Sequence, residues 1–547
     1  MLHRTRKSAK LPNRELNEIR RTSKVPERSE EYRHNLPGRV LKRILSDKRE
    51  IPKRAGEGYP SCWNRHRGKL LGDFGGLLFI IGALLTIFTL LHLGSALRIG
   101  DDEGYEVIKG VMCSKGYHLY TDMWNDQPPV STFLLSTAFK LFGASILTAR
   151  IVAVSFGLML AICFHELVRQ RSGSRTALLG TFFLVAAPGS LVVMVSMMLE
   201  CPAFAAALLS CWLAFRWAKR QNPIWLVLSG AMLAVALQIK LTAVLVAPAL
   251  VIEMFLILHS RHKSIGQMLQ PGLVWGAASV AVFFLIALTW GKGSLATSWK
   301  SHTKAEVVPG LDMPADHKFN VRLLRNNIEC AGGAVICILL ATRRRRLREL
   351  AFPVVLLCTV SLVHAFHRPW WNYYYLHFAI PLAWLTGWAV NVLLEDLYRV
   401  QTKNRSIGFK IASSLALCAL VAFALAKSER RLEGSIKYLR EKPPANASAI
   451  VQKMKQSATG ASCAYSEDGI YAFHAGVKVI PELAIVMPKR FWSGQISTRG
   501  IIEICKRNAP RFVVVRSDSF NEEWRDYLRT DYGFGAADNT CQLYIRK

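Results

Sequence analysis

Acidic residues are scarce in this chain: 547 residues carry 38 Asp and Glu against 70 Lys and Arg, a formal net charge of +32. An excess of that size suits an anionic partner, either nucleic acid or a lipid surface. No groove-reading or base-stacking motif accompanies it, so nucleic acid is not expected as a partner. Paired cysteine spacing is missing as well. Twelve cysteines occur, none in a CxxC arrangement, and Cys163, Cys201, Cys211, Cys358 and Cys418 sit inside apolar runs where Cys behaves as a small hydrophobe. No disulfide framework or structural zinc site is implied. The N-terminal stretch lacks the short apolar core and small-residue cleavage site of a signal peptide, and no internal repeat is visible.

Long apolar runs are abundant. The chain is 51% hydrophobic with a mean hydropathy of +0.21, too apolar for an ordinary soluble protein, and it reads as a polytopic α-helical membrane protein. Residues 1–70 hold 20 Lys and Arg against 8 Asp and Glu without apolar periodicity, so 1–72 reads as a disordered, cytoplasmic, lipid-facing tail. Basic connections at 215–221, 260–263, 343–348 and 398–405 also belong in the cytoplasm. They bound spans at 203–217, 224–239, 242–258, 272–290, 328–340, 351–366, 374–394 and 407–425. Glu200, Lys240, the loop 291–327 and residues 367–372 then fall on the opposite face, with the first external loop 98–128. Counting 130–142 and 147–168 as two crossings puts Arg169 to Arg175 outside. It also forces 176–199 into two short helices or a hairpin around Pro188-Gly189. About 13 helical segments result, each near the roughly 20 residues a span requires. The membrane module covers 73–427, and residues 428–547 alternate short strand-like and helical runs, a small extracytoplasmic α/β domain.

The first external loop is rich in carboxylates: Asp101-Asp102-Glu103-Gly104-Tyr105 near its start and Asn125-Asp126-Gln127-Pro128-Pro129 at its end. Carboxylates at a membrane surface can remove protons from acceptors or bind cations, which makes Asp101, Asp102 and Glu200 candidate functional residues, with Lys240, Gln127 and the aromatic run 370–375 on the same face. Each has a structural alternative. Glu200 beside Pro202 suits the first turn of a helix, and Pro128-Pro129 suits a helix start. Lys240 suits a snorkelling interface position, and 370–375 suits an aromatic belt. His118, His302, His364, His367 and His377 show no ligand spacing, so no dedicated metal site is expected. The group Asp101, Asp102 and Asp126 could still hold a divalent cation.

The order acidic pair–Tyr, Tyr120-Thr121-Asp122, Asp126-Gln127-Pro128-Pro129, Phe142-Gly143 and Ala149-Arg150 resembles the GT-C membrane glycosyltransferases. It is similar above all to bacterial members of the protein O-mannosyltransferase and lipid A aminoarabinose transferase group. Leu199-Glu200, Lys240 and Tyr373-Tyr374-Tyr375 before Pro381 extend the likeness over about 99–381. The resemblance implies inverting transfer of a sugar from a polyprenyl-phosphate carrier to an envelope lipid, glycan or protein at the outer face of a bacterial inner membrane. It implies Asp102, Asp101 and Glu200 as catalytic, and Asp126, Gln127, Lys240, Tyr374 and Tyr375 as donor or phosphate ligands. Reading Asp-Glu-x-x-Tyr selects Asp101, whereas Asp-Glu-Gly-Tyr selects Asp102; the second preserves the Asp-Glu pair itself and is favoured. Gln127 departs from the Lys or His that often precedes Pro-Pro, supplying a donor without charge. The α/β domain, outside the resemblance, is expected to recognise the acceptor while donor binding survives its removal. A multipass transporter is the alternative, but the polar residues gather at one face and in loops, not at mid-membrane.

Overall fold

The structure, a computed structural model, describes residues 62–261, 263–289, 321–367, 370–402, 407–460 and 462–547. Most of the basic tail, His302, and residues 291–320 of the long loop lie outside that set. Among the described residues, six helices are long and apolar enough to cross a membrane: Ile146–Ser172, Glu200–Arg220, Leu241–His259, Ile265–Thr289, Leu347–Phe366 and Asn372–Tyr398. Shorter apolar helices cover Gly75–Leu90, Val130–Phe142, Ser174–Val185 and Pro223–Leu237. The protein is an integral, multi-pass membrane protein. Glu200–Arg220 lies at the centre of the bundle, where Ala203, Ala205, Ala206, Ala207 and Ala214 are all buried, because small side chains let neighbouring backbones approach closely. Ile265–Thr289 lies at the periphery, with Leu273, Leu285 and Leu288 exposed.

One part of the predicted topology is corrected. Helix Val130–Phe142 does not cross. Its first amide donates to the Gln238 carbonyl at 3.0 Å, and near its other end Phe139 packs on Phe473 with ring centroids 5.9 Å apart, so both ends lie on the acidic face. Helix Ile146–Ser172, about 40 Å long at 1.5 Å per residue, then makes the crossing. Near its start Arg150 pairs with Glu103; near its end Arg171 pairs with Glu253 and lines a cavity with Arg345, Arg346 and Arg348. The basic residues after 168 therefore sit with the other basic connections, which removes the conflict with the positive-inside tendency. Ser174–Val185 returns to the acidic face, and the chain breaks where expected, with Gly189 at φ 71° before the short helix Ser190–Val195.

The first external loop contains an amphipathic helix, Glu103–Ser114, that burial of Val107, Ile108 and Met112 draws into a core shared with the C-terminal region. That region is built on a five-stranded mixed sheet, β1 Cys463–Ser466, β2 Lys478–Val479, β3 Phe512–Arg516, β4 Tyr532–Ala537 and β5 Cys541–Arg546, in the order β2-β1-β3-β5-β4. The β1 pairings with β2 and β3 are parallel, and those of β5 with β3 and β4 are antiparallel. Helices Ala449–Ser457 and Gly469–Ala475 contribute to the core facing the membrane module; Thr498–Asn508 and Glu522–Asp531 contribute to the core on the other side. The loop helix and Gly469–Ala475 cross at two glycines. A Cβ on Gly104 would meet Asp468 Oδ1 at 2.7 Å, and one on Gly469 would meet Ile108 Cγ1 at 2.6 Å. Neither position has room for a side chain, so the contact is close enough to fix the C-terminal region against the first loop.

Candidate active site

The acidic triplet divides into three environments. Asp101 is exposed, on the side of Arg98, which pairs with Asp468 at 2.6 Å. Asp102 is the N-cap of the loop helix but makes no side-chain cap hydrogen bond, and its carboxylate interacts with Lys240, Glu200 and Tyr373. Glu103 is fully buried and takes two hydrogen bonds from Arg150, at 3.0 and 2.8 Å, plus one from the Ile99 amide at 2.8 Å. Glu103 is a structural anchor. Asp102 is the carboxylate of the triplet that faces the cluster.

Lys240 sits where helix Pro223–Leu237 ends and the next span begins, at an extended residue that cannot continue either helix. Its ammonium pairs with buried Glu200, in the first turn of Glu200–Arg220, and stands 5.0 and 5.2 Å from the ring centroids of Tyr373 and Tyr374. The Val130 bond to Gln238 ties this turn to the end of the first loop. There the Gln127 carbonyl accepts from Tyr120 and from Asn125, each at 2.7 Å. The Gln127 side chain is half-buried. Lys109 pairs with Glu106 at 2.6 Å and reaches Asn125 at 3.3 Å. Asp126 is buried, 3.3 Å from Lys489 of the C-terminal region.

Burial pushes the Asp102 carboxyl up to about 7; the Lys240 ammonium opposes the rise and Glu200 adds to it. A carboxylate near 7 is matched to proton abstraction at neutral pH. Burial also raises Glu106, against the pull of Lys109.

The structure thus brings Asp102, Glu200, Lys240, Asp126, Tyr373 and Tyr374 together with three residues that the sequence pattern does not mark, Glu106, Lys109 and Lys489, and it sets Tyr373 beside the Asp102 carboxylate. Tyr375 stands apart. It is fully buried and its hydroxyl accepts a hydrogen bond from Asn327 at 2.9 Å, an arrangement that faces the helix core. Behind Tyr374, His364 Nε2 and His377 Nδ1 are 2.9 Å apart. Among the described residues, no group of three or more His, Cys, Asp or Glu could hold a metal ion. A cavity of about 650 Å³ on the C-terminal sheet, lined by residues including Arg499, Glu503, Glu523 and Asp526, shares no residue with the cluster.

The sequence profile described as dolichyl-phosphate-mannose-protein mannosyltransferase matches residues 126–290, a stretch that holds Asp126, Glu200 and Lys240 and omits Asp102. No curated protein matches the sequence. Among solved structures the chain is similar to ArnT from Cupriavidus metallidurans bound to undecaprenyl phosphate. The TM-score is 0.60 at 15% identity, over 86% of this chain and 98% of that one. It is also similar to the oligosaccharyltransferase of Archaeoglobus fulgidus in its apo form, with a TM-score of 0.55 at 12% identity, over 88% of this chain and 75% of that one. The archaeal oligosaccharyltransferase AglB from Archaeoglobus fulgidus, in complex with an inhibitory peptide and a dolichol-phosphate, gives 0.51 at 13% identity, over 84% of this chain and 72% of that one. The fold is that of the GT-C membrane glycosyltransferases.

Proposed function

We propose that this protein is an inverting glycosyltransferase that moves a hexose- or pentose-type sugar from a polyprenyl-phosphate carrier to a cell-envelope acceptor, a lipid, glycan or protein. The observation that carries the reading is the juxtaposition of Asp102 with the Lys240–Glu200 pair and Tyr373. Asp102 takes the proton of the acceptor hydroxyl as that oxygen bonds to the anomeric carbon. The bond from that carbon to the phosphate oxygen breaks, and the lipid phosphate leaves with the electron pair. Lys240 meets the charge that grows on the phosphate, and tyrosine hydroxyls and the Gln127 amide can donate to it. Glu200 acts through Lys240: buried against it, it fixes where the ammonium points and is a positioning residue. Asp126 holds the end of the first loop, and Tyr375 supports the helix behind Tyr374.

The ArnT structure holds undecaprenyl phosphate and the AglB structure a dolichol-phosphate, which supports a polyprenyl carrier here. The arginine-rich connections lie on the other face, which supports an active face outside the cytoplasm; the membrane in this reading is a bacterial inner membrane. The acidic loop, the membrane module over 73–427 and the C-terminal region over 428–547 then act as one catalytic unit. The test is transfer by the purified full chain from polyprenyl-phosphate sugars, read by mass spectrometry together with envelope glycans from cells with and without the protein. Unchanged glycans and no transfer from any such donor would reject the reading. A transporter would instead move solute across vesicles without any covalent product.

A further inference from the structure

The sequence places the C-terminal region outside the chemistry, yet one of its side chains enters the cluster. We propose that Lys489 is a second cation for the donor phosphate, so that the donor site is complete only when the C-terminal region is docked. The inference rests on the glycosyltransferase reading above.

Lys489 lies on the short helix Pro488–Trp492, and contacts on either side hold that segment in place. Trp492 stacks on Trp371 at 6.4 Å between centroids with 11° between planes. The Trp124 indole donates to Gln495 at 2.7 Å, and the Arg490 guanidinium lies 5.2 Å over the same indole. The Tyr105 hydroxyl donates to the Val486 carbonyl at 3.2 Å. Two of the anchors, Tyr105 and Trp124, belong to the first loop, and Trp371 belongs to the turn that carries Tyr373 and Tyr374. The segment is therefore registered against both parts of the site that flank Lys240, and Lys240 and His367 are close enough to interact electrostatically with Lys489.

Charge explains why a further cation is needed. Lys109, Lys240 and Lys489 are matched by Glu106, Glu200 and Asp126, with Asp102 in addition. An anionic phosphate entering this group must be met by cations able to bond it alongside their carboxylates. Lys109 is buried behind Glu106 and Asn125. Lys489 keeps 21% of its side chain exposed, and its contact with Asp126 is 3.3 Å. An ammonium has three donors and can hold more than one oxygen at a time.

The test is the affinity of the purified full chain for undecaprenyl phosphate in detergent, with thermal unfolding as the folding control. Lys489→Met should weaken binding about 10- to 100-fold, as loss of a charge-assisted hydrogen bond does, and Lys489→Arg should largely restore it. If K489M does not fold, Lys489→Gln replaces it with the same expected loss. The pair Asp126→Asn with Lys489→Met separates two roles. A phosphate partner leaves the double variant weak. Recovery of wild-type affinity would mean that Lys489 only neutralises Asp126, and would overturn the inference, as would unchanged affinity in K489M. A wild-type chain that does not bind undecaprenyl phosphate at all would overturn the donor reading first, and this inference with it.

Discussion

Glu103 and Arg150 form a two-point ion pair with both side chains fully shut off from solvent, Nε to Oε1 at 3.0 Å and Nη2 to Oε2 at 2.8 Å. The pair joins the start of the loop helix to the first turns of Ile146–Ser172, and Arg150 also donates to the Ala96 carbonyl at 2.9 Å. Successive residues on a helix diverge by about 100°, so anchoring Glu103 inward turns Asp102 away from Arg150 and towards Lys240. Of the acidic pair, Glu103 is the anchor and Asp102, the proposed base, is the one that faces the cluster.

The anchor is tested by stability. Arg150→Met leaves a buried carboxylate without its partner, and breaking such a pair typically costs about 3–5 kcal/mol. Thermal unfolding in detergent should show a large loss for Arg150→Met and a smaller one for the double replacement Glu103→Gln with Arg150→Met.

Asp102→Asn keeps shape and hydrogen bonding but cannot accept a proton at neutral pH. General-base catalysis is worth about 100- to 10,000-fold, so turnover should fall by that order while undecaprenyl phosphate binds as before. Asp101→Asn should be mild, because Asp101 is exposed. A purified transfer assay in which Asp101→Asn is the more damaging change would reverse the assignment.

The pH profile follows from the same residue. As the proposed base, Asp102 must be ionised to act, and burial pushes its carboxyl up to about 7, so kcat/KM should rise through about pH 7 and level off above it. Lys240 favours the ionised form. Lys240→Ala should therefore move the rising limb to higher pH, besides weakening donor binding.

Glu467 gives a stability test away from the chemistry. Burial raises its carboxyl from 4.5 to about 7, so between those values the folded protein binds more protons than the unfolded chain, and stability falls as pH rises. Glu467→Gln can still accept from the Arg516 amide and carries no charge. It should leave stability nearly unchanged below pH 4.5 and be more stable than wild type by about 1–3 kcal/mol at pH 8. Unfolding midpoints across pH check this.

Topology is open to labelling. A cysteine at exposed Thr121 should react with a membrane-impermeant reagent from outside intact cells, and one at exposed Arg343 should not. The opposite pattern would place the acidic cluster in the cytoplasm and remove the outer-face reading.

The sequence by itself determined where the apolar helices run, because hydropathy and chain breakers act locally. Val130–Phe142 and Ala351–Phe366 fall where the apolar runs place them, and the chain breaks at Pro188-Gly189 with Gly189 left-handed. It also marked the acidic loop, Glu200 and Lys240, since charged residues beside apolar runs stand out in composition. The loop helix Glu103–Ser114 was not read from the sequence, because its few apolar positions, Val107, Ile108 and Met112, lie within an acidic loop.

Which face each helix end occupies was decided by the fold. Val130–Phe142 is apolar like a span, but it has only 13 residues, and its contacts with Gln238, Phe473 and the loop helix keep it on one face. Tertiary structure likewise decided which acid of the triplet faces the cluster, because that depends on Arg150 capturing Glu103 across 47 positions. It alone brought Lys489 to Asp126 across 363 positions. Side-chain direction and long-range pairing leave no periodic trace in a single sequence, so these partners emerge only once the C-terminal sheet is packed on the loop helix.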